Sequence, residues 1–120
     1  MVEGDVEPDA FLKACPSRDV MARLGEKWTM LVLVALTPGA IRFGALHRRI
    51  EGVSQKMLSQ TLRHLEEDGI VTRTVFDERP LRVEYALTEL GLSILPLVAA
   101  IKRWSEDNLQ KIEANRRTST

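Results

Sequence analysis

Cysteine occurs once in the 120 residues, at Cys15, which excludes an internal disulfide framework and fits a reducing compartment. Long apolar runs are missing as well. The longest, Met30–Leu36, falls far short of the roughly 20 residues that cross a bilayer. The N-terminus is acidic and shows no apolar stretch of the kind an export signal needs, so a cytoplasmic location is expected. The two histidines, His47 and His64, have no ligand partners at metal spacing, and Cys15 is distant from both. Neither a glycine-rich phosphate loop nor a His–Cys–Asp arrangement is present, so the expectation is no enzyme, no metal and no cofactor. Charge of one sign is lacking too: 17 Lys and Arg balance 17 Asp and Glu. A neutral total predicts weak non-specific binding to nucleic acid, so any such binder needs specific contacts from a dimer.

The chain is long enough for one core and not for two. Its charge is unevenly placed. Residues 1–30 hold six acids against four bases; from Arg42 to Arg82 eight bases (Arg42, Arg48, Arg49, Lys56, Arg63, Arg73, Arg79, Arg82) face six acids. Within that basic stretch the pattern reads helix, turn, helix, hairpin. Phe43, Leu46 and Ile50 stand at helical spacing with Arg48 and Arg49 outside, and Glu51-Gly52-Val53 makes a short turn. Ser54 is a natural N-cap for a second helix whose buried face is Leu58, Leu62 and Leu65. At about 100° per residue, Lys56, Ser59, Gln60 and Arg63 fall opposite that face, while Glu66, Glu67 and Asp68 come at the far end. Gly69 stops the helix, and the period changes from 3.6 to 2 over Val71–Phe76 and Arg82–Leu87. Asp77-Glu78-Arg79-Pro80 forms the hairpin tip. Taken alone the second helix is equally an ordinary amphipathic one, and the hairpin a solvated one. A two-stranded hairpin is marginal by itself, however, and must dock on the helices as a wing. This order is the plan of a winged helix-turn-helix, which seats its second helix in the major groove.

The flanks carry three further signals. Pro16 suits a first helical position, which makes Cys15 the N-cap of a helix reaching Leu24. A sulfur at that positive helix end is favoured as thiolate, with Lys13 and Arg18 adding to the effect and Asp19 subtracting. The alternatives are a small buried apolar residue, or an N-cap at Ser17 that leaves Cys15 outside the helix. Lys27–Leu36 has no polar stripe and reads as a central helix; Trp28 is a core residue there or the lining of an effector pocket. A last helix begins after Thr88, with a kink expected from Pro96. Leu90, Ile94, Leu97, Ile101 and Trp104 are spaced four, three, four, three, an a/d seam suited to a second copy of the chain about a two-fold axis, or else to the helix's own core.

GEKWT (Gly25–Thr29), RFGAL (Arg42–Leu46), GVSQKMLSQTLRHLEEDGIV (Gly52–Val71) and PLRVEYALTELG (Pro80–Gly91) together resemble the HxlR-type family of bacterial winged helix-turn-helix transcription regulators. The resemblance runs from about Cys15 to Trp104. It implies a homodimeric DNA-binding repressor or activator, often one that senses oxidants or electrophiles, with a sensing cysteine followed by proline before the first helix.

The expectation is therefore a mainly α fold with a small β-hairpin wing, dimerised through N- and C-terminal helices. Residues 1–10 read as a flexible acidic leader, 11–115 as the domain with its dimerisation helix at about 88–115, and 116–120 as a frayed tail. Ser54, Gln55, Lys56, Ser59, Gln60 and Arg63 are the expected DNA-binding residues of the second helix, joined by Arg79 and Arg82 on the wing. Cys15 is the candidate sensor of an oxidant or electrophile. Repression at inverted-repeat operators is the leading reading. The alternatives are a winged-helix module that binds protein, and a regulator answering a non-covalent ligand near Trp28.

Overall fold

Helix α2 (Lys27–Ala35), apolar on most sides, occupies the middle of the structure, a computed structural model that describes residues 7–118. Around it lie α1 (Pro16–Leu24), α3 (Phe43–Arg49), α4 (Gln55–Glu67) and α5 (Glu89–Asp107), all in contact with it. Val32, Leu33 and Leu36 meet Leu46, Ile50, Leu58, Leu62 and Leu65 in one core, which Val71, Tyr85 and Val98 close from the sheet and from α5. Trp28 packs on the edge of this core, its ring beside Gly52 in the α3–α4 turn and under the Lys27 ammonium at 4.6 Å.

Strands β1 (Ile41–Arg42), β2 (Val71–Phe76) and β3 (Arg82–Leu87) form an antiparallel sheet in the order β1-β3-β2, with Ile41 opposite Tyr85 and Phe76 opposite Arg82. The core holds one face of the hairpin. Val71 and Tyr85 are buried and Val83 packs against the core, whereas Val75, opposite Val83 and apolar by pattern, is exposed.

Helix α4 is defined locally at both ends. The Ser54 hydroxyl accepts the Met57 N–H at 3.0 Å, and Gly69 takes φ +74° so that the Ile70 N–H reaches the Leu65 carbonyl and the Gly69 N–H the Glu66 carbonyl. That pair of bonds closes the helix without stranding its last carbonyls.

The C-terminal segment departs from the single helix expected over about 88–115. The chain breaks at Asn108 into α5 and α6 (Leu109–Thr118). The Asn108 side-chain amide donates to the Trp104 carbonyl at 2.9 Å, the kind of local competition for backbone groups that favours Asn at helix ends. Helix α6 runs on through Arg116 and Arg117 to Thr118, where fraying was expected; the Thr118 hydroxyl bonds back to the Asn115 carbonyl at 3.0 Å. The last two residues of the expected tail, and residues 1–6 of the expected leader, lie outside the described residues. From Asp9 onward the chain is turned, the Leu12 N–H on the Asp9 carbonyl and the Cys15 N–H on that of Leu12.

Of the expected seam, Ile94 packs against the core, while Leu90, Leu97, Ile101 and Trp104 are exposed. Helix α1 buries no residue, and Phe11, Leu12, Val20 and Met21 are exposed beside it. The Cα radius of gyration is 17.3 Å, against about 14 Å for a compact chain of this length. Helix α1 with the turn before it, and the outer face of α5, thus leave apolar surface uncovered. No helix among the described residues is long and apolar enough to cross a membrane.

Candidate nucleic-acid interface

The polar face of α4 follows from where its leucines must go. With Leu58, Leu62, Leu65 and also Thr61 turned to the core, Ser54, Gln55, Lys56, Ser59, Gln60 and Arg63 are all exposed. Among the described residues no ion pair engages Lys56 or Arg63, so both charges are available to a ligand. The N-terminus of the helix adds its own pull. Ser54 caps the Met57 N–H, and the N–H groups of the first turn ahead of it face outward at the positive end of the helix dipole, next to Lys56. This end suits phosphate; the amides and hydroxyls along the face suit base edges.

The wing holds one correction. Arg79 is exposed at the tip, as a phosphate or minor-groove contact would require. Arg82 is not. Its guanidinium lies between two carboxylates, Nη2 2.7 Å from Glu78 Oε2 and Nη1 2.8 Å from Glu84 Oε2, and stacks 3.8 Å from the Phe76 ring centroid. With its charge and both terminal nitrogens engaged within the hairpin, and Nε buried without a partner, Arg82 braces the wing and does not stand free as Arg79 does. Sequence reading placed it by strand alternation, which says nothing about Glu78 bending back across the tip. Conversely, Arg73 on β2 and Arg48 and Arg49 on α3 are exposed, though they are not among the DNA-binding residues expected from the sequence. Their outward side of the motif was the available signal.

Cys15 is the N-cap of α1, with Pro16 at the first helical position; Ser17 is not the cap. Instead the Ser17 hydroxyl lies 3.1 Å from the sulfur, which also accepts the Asp9 N–H at 3.2 Å. These contacts hold the thiol below its ordinary pKa: first the Ser17 hydroxyl, then the Asp9 and Ser17 backbone N–H groups, partly opposed by desolvation and by the Asp9 carboxylate. The neighbours foreseen from sequence play no such part. Arg18 turns to the Ala10 and Phe11 carbonyls, and the opposing acid is Asp9, not Asp19.

Between α2 and α5 runs an open groove of about 320 Å³ with Met30, Leu31, Val34, Val98 and Ile101 as its floor and Lys27 and Lys102 at its rim. Trp28 is not among its lining residues. Among the described residues no cluster of His, Cys, Asp or Glu is placed to hold a metal ion.

Known proteins share the sequence pattern and the fold. The model of the HxlR-like helix-turn-helix family matches residues 23–113. YtfH of Escherichia coli (strain K12), an HTH-type transcriptional regulator, is 44% identical over 110 residues, covering 92% of this chain and 87% of its own. The solved structure of the transcriptional regulator YtfH from Salmonella typhimurium superposes with a TM-score of 0.88 at 43% identity, over 92% of this chain and 99% of that one. The redox regulator HypR in its reduced form superposes with a TM-score of 0.75 at 36% identity, over 82% and 98% of the two chains.

Proposed function

As a member of the HxlR-like helix-turn-helix family the chain is a DNA-binding transcriptional regulator, and we propose that it acts as a homodimeric repressor on inverted-repeat operators, with its affinity set by the oxidation or alkylation of Cys15. The observation that carries the DNA reading is the polar face of α4, where Lys56 and Arg63 are exposed beside a capped helix N-terminus and, among the described residues, enter no ion pair. Two copies present two such faces to successive major grooves, so half-sites lie about one helical turn or a multiple of it apart. Arg63 pairs with guanine or phosphate, Gln55 or Gln60 with adenine, and Ser54, whose hydroxyl hydrogen is still free to donate, with phosphate. The exposed Leu90, Leu97, Ile101 and Trp104 of α5, with the apolar side of α1, form the contact between copies. Repression follows from occupying the promoter. The lowered pKa of Cys15 supports the sensor role, as does the likeness to a redox regulator. With no second cysteine in the chain, the chemistry at Cys15 is alkylation, a mixed disulfide with a small thiol, or a disulfide between copies.

A salt titration on duplex selected from a random pool tests the DNA reading. Affinity should fall steeply with salt, and drop further in Lys56→Ala and Arg63→Ala. Unaltered binding in both variants favours a protein-binding module, the reading that the zero net charge of the chain would suit. For the sensor, Cys15→Ser should abolish any response to diamide or a quinone while duplex binding in reductant is kept. A response that survives the substitution moves sensing to a non-covalent ligand.

A further inference from the structure

Helix α4 ends unfavourably by its own electrostatics. Glu66, Glu67 and Asp68 crowd its C-terminal end, where the helix dipole is negative, and His64 is the only basic residue of its last turn. The compensating cation comes from the last turn of α1, a different helix 45 residues earlier. Arg23 Nη1 donates to Asp68 Oδ1 at 3.0 Å and stands 3.9 Å from Glu67 Oε1, while its Nε is 3.6 Å from Asp19 Oδ2 one turn back on α1. Both side chains of the Arg23–Asp68 pair are 30% exposed, more sheltered than the surface pair Lys102–Glu106 at 46% and 62%.

Little else holds α1. The helix buries no residue, and Leu24 at its end is its only side chain packed against the core. Its direction is therefore set by the Gly25–Glu26 joint and by the ion pair. At its other end α1 starts from Cys15, with Phe11, Leu12, Val20 and Met21 exposed along it. In the dimer proposed above, α1 reaches toward the partner while α4 reaches toward DNA. With α5 seated on the exit of α4, the angle between α1 and α4 is the second geometric term that sets how far apart the two recognition helices stand.

We propose that Arg23 is a positioning residue for DNA reading: through Asp68 it locks α1 to the C-terminal end of the recognition helix and so sets the half-site spacing the dimer accepts. The inference rests on the dimeric DNA-binding reading. It assigns Arg23 no contact with the duplex.

The test uses the full chain, a duplex selected by the wild type, and the same duplex with one base pair added between half-sites. Arg23→Glu and Asp68→Arg should each lower the ratio of affinities for the two duplexes by about fivefold or more, and the double reversal should restore it. Arg23→Gln should shift the ratio in the same direction by less. The salt dependence of binding should be unchanged throughout. Thermal unfolding identifies any variant that fails to fold, in which case Arg23→Gln carries the comparison. An unchanged ratio in the single variants overturns the inference, as does a ratio that stays low in the double reversal. So does a salt slope reduced by about one, which would make Arg23 a phosphate contact. Wild-type protein that selects no duplex overturns the DNA reading and this inference together. Wild-type binding with indifferent variants overturns this inference alone.

Discussion

Gly91 in the first turn of α5 lies directly against the carbonyl oxygen of Ile70, with no room between them for a Cβ. Thr88 fastens the same junction. Its N–H donates to the Ile70 carbonyl at 3.0 Å, its hydroxyl to the Gly69 carbonyl at 2.6 Å, and the Gly91 N–H donates to that hydroxyl at 3.1 Å. The start of the C-terminal helix is thereby seated on the exit of the recognition helix. A surface meant for the partner copy and a surface meant for DNA are built on one rigid corner.

Gly91→Ala tests that corner. Replacing Gly by Ala inside a helix ordinarily stabilises by roughly 0.5–1 kcal/mol; here the methyl meets backbone, and a loss of about 1–3 kcal/mol is expected. Thermal unfolding should show Tm lowered by about 4 °C or more. A raised Tm would mean the junction yields freely.

Arg79 and Arg82 should behave differently on duplex. Arg79→Ala should flatten the salt dependence of binding by about one unit. Arg82→Ala should leave that slope unchanged and destabilise the hairpin by about 0.5–1 kcal/mol, because Glu78 and Glu84 lose the cation between them. A slope that falls in Arg82→Ala would return this residue to the DNA.

The reactivity of Cys15 should depend on pH in a defined direction. Thiolate is the nucleophile, so alkylation by iodoacetamide accelerates as pH rises through the thiol pKa. That midpoint should lie below the value for an ordinary thiol, since the Ser17 hydroxyl and the Asp9 and Ser17 N–H groups favour the anion. Ser17→Ala removes the largest of these contributions, moves the midpoint up and slows the reaction at neutral pH. Identical rate–pH profiles for the two proteins would refute the role of Ser17.

Sedimentation should give the wild type a mass twice that of the chain. Leu97→Lys and Ile101→Lys, on the exposed face of α5, should shift it toward monomer and weaken duplex binding without lowering the stability of the monomer. A monomeric wild type would remove the paired half-sites from the proposal.

Much of the site could be read before any fold was known, because its determinants lie within a few residues of one another. Leu58, Leu62 and Leu65 mark the buried side of α4 by spacing alone, and the opposite side follows. Ser54 and Gly69 punctuate the helix by local hydrogen bonding and backbone freedom. Cys15 before Pro16 is likewise a local N-cap. What could not be read depends on partners that spacing does not name. Arg82 looked free on a strand face because Glu78 folds back on it only once the hairpin has turned. Ile94 stood in a uniform seam until the core claimed it and left Leu90, Leu97, Ile101 and Trp104 outside. At the break, the Asn108 side-chain amide and backbone N–H both reach the Trp104 carbonyl, a local closure that apolar spacing does not announce.

By itself the order of residues determined the helix-turn-helix, its wing and the polar side of the reading helix, since periodicity, capping and turn chemistry act over one or two turns of chain. Only the tertiary structure decided which arginines remain available to a ligand and which are taken up in ion pairs. Arg23 and Asp68 are brought together across the fold, Arg82 is paired within the hairpin, and Lys56 and Arg63 are left open. Whether a charge is neutralised depends on distances of a few ångströms between segments far apart in sequence.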